Sequence, residues 1–166
     1  MGNLFRAVIA IHLLMLAAAG KAGEVETPTF ELYPLMPDPG QLVLSRDISA
    51  EAGPLANRVA KALQDGEQQV FARKYWAITL SCGTACEELV LVDGLDGRVF
   101  TPLERAFSHG IAFVDDSPLL IVNPPENIEQ AGMAEDQPDW LCTHYYLWLD
   151  EQLLEIDPVA QCGQDY

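Results

Sequence analysis

The residues of this 166-residue chain with the most definite chemistry are its four cysteines, Cys82, Cys86, Cys142 and Cys162. An even count in an exported chain argues for two disulfides, and four thiols allow three pairings. Nearness in sequence favours Cys82–Cys86 and Cys142–Cys162. The second bridge closes a loop of about 20 residues and ties down the C-terminal tail, which on the chain-entropy model stabilises by roughly 3 kcal/mol. Redox activity at Cys82-Gly-Thr-Ala-Cys86 is the first rival. The thioredoxin motif, however, has two intervening residues at a helix start, whereas three stand here between apolar strand-like runs. Zinc is the second rival, but structural zinc sites favour two close pairs of ligands, and Cys142 and Cys162 stand far apart. Structural disulfides are the expectation.

His144 stands two residues from Cys142. On a strand that spacing puts both on one face, where an imidazole could activate a thiol. A cysteine held in a disulfide has no thiolate with which to attack, so no catalytic residue is assigned. Carboxylates are paired at Glu87-Glu88, Asp115-Asp116 and Glu135-Asp136. Paired acids catalyse when burial drives their pKa values apart, but each pair sits at or beside a turn signal and reads as solvated. Glu88, Asp93 and Asp96 supply oxygens without the EF-hand spacing, so no metal or cofactor is expected. The chain has no phosphate-cradling glycine loop, nucleophile elbow or basic stripe. The remaining cluster is aromatic: Tyr145, Tyr146 and Trp148, with Trp140 nearby. Alternation sets Tyr146 and Trp148 on one face and Tyr145 on the other. One face is core. Aromatics on the outer face, with Asp115 and Asp116, form the candidate binding surface, since Tyr and Trp are enriched at interaction hot spots.

The compartment follows from residues 1–22. Met1 to Arg6 carries one positive charge, Ala7 to Ala19 is apolar except for His12, and Gly20-Lys21-Ala22-Gly23 is small or flexible. That order describes a secretory signal, and the run is shorter than the roughly 20 apolar residues a membrane span needs. Cleavage fits after Ala19, Gly20 or Ala22, leaving a single secreted or periplasmic domain over 23–166 with no stable membrane anchor. Processing removes Arg6 and Lys21 and no acid, so 7 basic residues face 25 acidic ones and the net charge moves from −16 to −18. Such a field repels nucleic-acid phosphate and anionic lipid, and it attracts cationic partners. It also keeps a protein soluble.

These residues need a scaffold. Residues 24–45 carry Pro28, Pro34, Pro37 and Pro39 and read as an extended lead-in with one edge strand at Gln41–Ser45. Ser49 caps a helix over Ala50–Asp65, with Leu55, Val59, Ala62 and Leu63 on one stripe and Gly66 as the stop. From Val70 the period becomes two. Trp76, Ile78 and Leu80 mark a half-buried strand, Glu88–Asp93 returns, and Asp93-Gly94-Leu95-Asp96-Gly97 turns into Arg98–Thr101. Short strands follow at Gly110–Val114 and Leu119–Asn123. After a polar loop from Pro124 to Asp139 come Cys142–Leu149, a turn at Asp150–Gln152, and Leu153–Ile156. The expected fold is α+β: one N-terminal helix, then an antiparallel β meander of about six strands.

Phe71-Ala72-Arg73-Lys74-Tyr75, Cys82-Gly83-Thr84-Ala85-Cys86, Val92-Asp93 and Asp96-Gly97-Arg98-Val99 resemble a family of small exported bacterial proteins. Its members carry a Cys-Gly-Thr-x-Cys hairpin followed by an Asp…Gly turn. Asp116-Ser117-Pro118-Leu119-Leu120-Ile121-Val122-Asn123 and Tyr145-Tyr146-Leu147-Trp148 are similar to it as well. Pro118 stands where the family often has a basic residue, so any role of that side chain is absent here. The resemblance covers roughly residues 50–157. It implies an exported fold and supplies no activity.

Taken together, these residues describe an exported, disulfide-bonded, acidic, non-enzymatic binding or inhibitory module whose partner is a cationic envelope or extracellular protein. The alternative is a cell-envelope hydrolase with an unrecognised carboxylate site. Intact-mass measurement of the secreted form is expected to place the mature N-terminus between Gly20 and Glu24. Retention of Met1 would end the export reading.

Overall fold

A computed structural model of the chain describes residues 27–35, 44–48, 50–133 and 141–156. The signal segment, most of the edge strand expected at Gln41–Ser45, Ser49, Glu135–Asp136, Trp140 and Cys162 lie outside the described residues.

The α+β expectation holds, but neither the full-length helix nor the single six-stranded meander does. Ala50–Leu55 is a 3₁₀ stretch broken at Gly53, whose φ of 58° is not helical. The α-helix α1 begins only at Ala56 and runs to Asp65. The Gly53-Pro54 pair accounts for the late start, because glycine leaves the helical region cheaply and proline lacks the N–H a helix interior needs. Gly66 caps the far end in the left-handed conformation, φ 80°, as the stop signal predicts. Val59, Ala62 and Leu63 form the buried stripe.

Among the described residues eight strands follow, in two sheets. β1 (Gln69–Phe71), β2 (Tyr75–Gly83), β3 (Cys86–Asp93) and β4 (Val99–Phe100) form the first in that order. β5 (Ile111–Ala112), β6 (Leu119–Val122), β7 (His144–Leu149) and β8 (Gln152–Glu155) form the second. Every pairing is antiparallel. A second helix, α2 (Pro125–Gln130), occupies the start of the segment expected to be loop, with Pro125 in its first turn. Proline there costs nothing, since its missing N–H had no helical partner to find.

The first sheet is covered on both faces, which corrects the half-buried expectation for its central strand. Ile78, Leu80, Val90 and Val92 pack with Val59, Ala62 and Leu63 of α1. On the opposite face Tyr75, Ala77, Leu89 and Leu91 pack with Leu120, Val122 and Trp148 of the second sheet. Period-two alternation cannot distinguish one covered face from two when both sets of residues are apolar. Tyr75, Phe100 and Trp148 lock the sheets together through edge-to-face contacts, with ring centroids 5.4 to 6.1 Å apart. Each such contact adds about 0.5–1.5 kcal/mol beyond the area it buries.

A disulfide joins Cys82 to Cys86 across the tip of the β2–β3 hairpin, as expected. Cys142 is disulfide-bonded as well.

The segment 44–48 is not a strand, yet it is bound to the first sheet. Ser45 N–H donates to the Gly94 carbonyl at 2.7 Å, and the Trp76 indole N–H donates to the Ser45 carbonyl at 2.6 Å. Gly94 makes this approach possible. A Cβ there would stand 2.8 Å from the Leu44 side chain and 2.9 Å from the Lys74 carbonyl oxygen. Gly94→Ala is therefore expected to cost about 1–3 kcal/mol of stability, read as a lower urea midpoint. An unchanged midpoint would show that segment 44–48 yields freely.

Candidate functional site

Five connections converge at one end of the two sheets, and their meeting follows from the pairing. Tyr75 pairs with Asp93, so the β1–β2 turn (Ala72–Lys74) lies beside the β3–β4 turn (Asp93–Arg98). In the second sheet Trp148 N–H donates to the Pro118 carbonyl at 2.9 Å, setting the Asp115–Pro118 turn beside the β7–β8 turn (Asp150–Glu151). The segment Tyr33–Leu35 is fastened over them. Leu35 N–H donates to the Asp116 carbonyl at 2.8 Å, and the buried Ser117 hydroxyl donates to the Tyr33 carbonyl at 2.8 Å.

The hub of this end is Asp93, 1 % exposed. Its Oδ2 lies 2.7 Å from Lys74 Nζ and 3.7 Å from an Arg98 nitrogen, and its Oδ1 accepts from Leu95 N–H at 2.8 Å. A carboxylate withdrawn this far from water needs a counter-charge and hydrogen bonds to remain ionised. The hydrogen bond to Asp93 raises the Lys74 ammonium pKa above its ordinary value. Arg98 carries the network to the second sheet. Its guanidinium grips Glu151 with two bonds, 2.8 and 2.5 Å, and its Nε holds Asp96 at 2.7 Å. Those bonds push the Arg98 pKa further up. The Arg98 backbone N–H, bonded to Asp96, is the main cause of that carboxyl's lowered pKa.

Between the turns lies a pocket of about 440 Å³, lined by Leu35, Ala72, Lys74, Tyr75, Pro118, Trp148, Asp150 and Glu151. Three of these residues, Ala72 (φ 48°), Asp150 (φ 49°) and Glu151 (φ 63°), hold left-handed backbone without being glycine. Such conformations concentrate where surrounding structure over-determines them, often at functional sites. Lys74 is already paired with Asp93 and Glu151 with Arg98. The Asp150 carboxylate has no hydrogen-bond or ion-pair partner among the described residues. The Trp148 indole Nε1, in a side chain 5 % exposed, is buried without a hydrogen-bond acceptor.

The aromatic cluster divides. Trp148 is in the pocket wall and the core between the sheets, Tyr145 is buried, and Tyr146 is half-buried against that core. Burial is the main cause that pushes the Tyr146 hydroxyl up to about 12, and it raises Tyr145 too. The exposed large apolar side chains among the described residues are Leu32, Leu95, Met133, Leu149 and Leu154, so the outward aromatic face is not there. Asp115 and Asp116 are exposed on the turn that meets the pocket at Pro118. Sequence reasoning brought these two acids and Trp148 together and missed Lys74, Arg98, Asp150 and Glu151. The last two stood in a turn signal, and the partner of Glu151, Arg98, belongs to the other sheet.

Other reactive groups are committed elsewhere. His144 Nδ1 pairs with Glu155 at 2.8 Å and its ring stacks on Tyr146, while Cys142 is bridged. Ser108 Oγ meets His109 Nδ1 at 2.8 Å, a pair the sequence reading passed over. The buried Asn123 holds it in place, its Oδ1 accepting both backbone N–H groups. Among the described residues the His109 ring has no carboxylate to orient it, as a nucleophile–base pair requires. Glu88 pairs with Arg58 of α1 at 3.4 Å, separate from Asp93 and Asp96.

No protein-family model, curated protein or solved structure matches this chain.

Removing the Lys74 ammonium tests the hub. Lys74→Met is expected to cost about 2–3 kcal/mol, less than the 3–5 typical of a broken buried pair because Arg98 remains near Asp93. Adding Asp93→Asn should restore most of the loss. Because the folded Lys74 pKa is raised, the pair's contribution is complete below pH 10.5, the ordinary lysine value, and fades as pH climbs through the folded value. Urea midpoints at pH 7 and pH 11 read both effects. A Lys74→Met penalty that is no smaller at pH 11 would refute the assignment.

Proposed function

We propose that the chain is an exported, disulfide-bonded acidic binding or inhibitory module, with the turn-lined end as its working face and a cationic protein as its partner. The observation that carries this reading is the charge left over at that end. Asp93, Asp96, Asp115, Asp116, Asp150 and Glu151 stand there against Arg73, Lys74 and Arg98, within a chain of net charge −16. Fixed charges of one sign raise encounter rates with an oppositely charged partner. A rigid face also reduces the ordering cost of association, and the Arg98–Glu151 bonds, sheet pairing and interlocked rings supply that rigidity. Export is supported by the disulfides, which persist in oxidising compartments, and by the resemblance of the Cys82–Cys86 hairpin to exported bacterial proteins.

A hydrolase built on two carboxylates has less support. Asp93 and Glu151 are paired with Lys74 and Arg98, and among the described residues the carboxyls with displaced pKa values, Glu31 and Asp96, are both lowered. A general acid needs the opposite shift.

The mature domain is expected to bind a basic lysozyme and not an acidic control protein, with affinity falling between roughly 50 and 300 mM salt as the screening length shortens. The double change Asp115→Asn/Asp116→Asn should slow association about tenfold, within the range attributed to steering, with little effect on dissociation. Interferometry at both salt concentrations reads these rates. Equal, salt-independent binding to both proteins, or binding to neither, would sink the proposal.

A further inference from the structure

The second sheet ends at β8, where half of the backbone's hydrogen-bonding groups are unused. Ile156 N–H donates to the Tyr145 carbonyl at 2.9 Å, so Ile156, Leu154 and Gln152 turn their backbone groups toward β7. Alternation points those of Leu153 and Glu155 outward, where they meet no partner among the described residues. Between them stands Leu154, at 56 % the most exposed large apolar side chain of the described residues. We propose that this edge pairs, antiparallel and about a two-fold axis at Leu154, with β8 of a second copy of the chain.

Register is what names a copy as the occupant. Leu119, Leu147 and Leu154 lie opposite one another and form one leucine row across three strands. Their neighbours Leu120, Trp148 and Leu153 pack toward the first sheet, so the row lies on the other face. It ends in water at Leu154. A two-fold axis there continues it through the leucines of the copy. The rest of the edge is self-complementary too. Leu153 falls opposite Glu155 of the copy, and each of the two such pairs exchanges two hydrogen bonds. Gln152 falls opposite Ile156, and no pair sets two acids face to face. Glu155 keeps its bond to His144 at 2.8 Å. Beyond Gln152 the chain enters the turn, where Glu151 is bonded to Arg98, and the ladder stops. Open edges template pairing unless proline, charge or a bulge blunts them. β8 has no proline and keeps an unbroken register with β7, whereas the other outer strands, β1, β4 and β5, are shorter.

Charge opposes this contact and sets its strength. Two copies of a chain with net charge −16 repel at long range, and a four-residue strand buries less than the roughly 1,000 Å² of stable complexes. Pairing is therefore weak, with a dissociation constant on the order of 0.1–1 mM. It strengthens as salt screens the repulsion. A cationic partner responds to salt in the opposite sense, so the pairing stands or falls separately from the function proposed above.

The test is sedimentation equilibrium of the mature protein up to about 1 mM, at roughly 50 and 300 mM salt. A monomer–dimer equilibrium is expected, tighter at the higher salt. Leu154→Lys places a charge on the edge at a site already in water, and it should weaken the dimer at least about tenfold. Its charge alone moves the chain toward neutrality and favours association, so a loss reports the edge and not the field. In the unsubstituted protein, amide exchange at Leu153 and Glu155 should slow about two- to threefold at 1 mM, where half or more of the chains are paired. A monomer at every concentration, association that weakens with salt, or a dimer that Leu154→Lys leaves intact would overturn the proposal. Slowing of those two amides by basic lysozyme and not by concentration would assign the edge to a foreign strand and overturn it as well.

Discussion

A carboxylate with 1 % of its surface in water must find in protein the compensation that solvent would have supplied, and Asp93 imposes that requirement on its surroundings. Lys74 has to come from the β1–β2 turn, and Leu95 N–H and Arg98 from the β3–β4 turn. Each of those groups brings its own element to the same end of the molecule. Arg98 then extends the arrangement across the gap between the sheets to Glu151. Isolated buried ion pairs contribute little net stability, since desolvation consumes most of the Coulombic gain. Their value here is geometric: three turns from two sheets are held in one arrangement, backbone bonds set the Asp115–Pro118 turn beside them, and the pocket is the space between.

Much of the secondary structure was legible because it rests on local rules. Apolar spacing located the buried stripe of α1, Gly66 marked its end, and period-two runs found β2, β3, β6 and β7 within a few residues. Division of the strands into two sheets was not legible. Alternation records which side chains share a face, whereas the partner of that face is decided by contacts between residues far apart in the chain, such as Tyr75 with Trp148. Helix α2 was hidden in a polar stretch because its single buried contact, Ile128, leaves almost no periodic signal. The late start of α1 was readable in principle, since Gly53-Pro54 stands where the first turn was drawn.

The site was less legible for the same physical reason. Asp93 sits in a sequence that reads as a solvated turn, and nothing local distinguishes a turn aspartate facing water from one turned inward onto a lysine. The Arg98–Glu151 bond spans 53 residues, beyond any motif. The aromatic cluster was visible, but its fate depended on which faces the second sheet covers. Trp148 and Tyr145 point to opposite sides of β7 and both are buried.

The β7–β8 hairpin closes through Asp150 and Glu151, both left-handed, in a two-residue loop between the paired Leu149 and Gln152. Turns of this kind favour Asn, Asp or Gly at the first position and Gly at the second, so Glu151 is the residue that pays about 1–2 kcal/mol for its conformation. A hairpin with so unfavourable a turn is a poor place for folding to begin. The compensating bond arrives from Arg98, in the β3–β4 turn of the first sheet. The turn is thus held in its shape by the neighbouring sheet and not by its own residues alone. The pocket is lined by residues of both sheets, so its shape depends on the two being correctly joined.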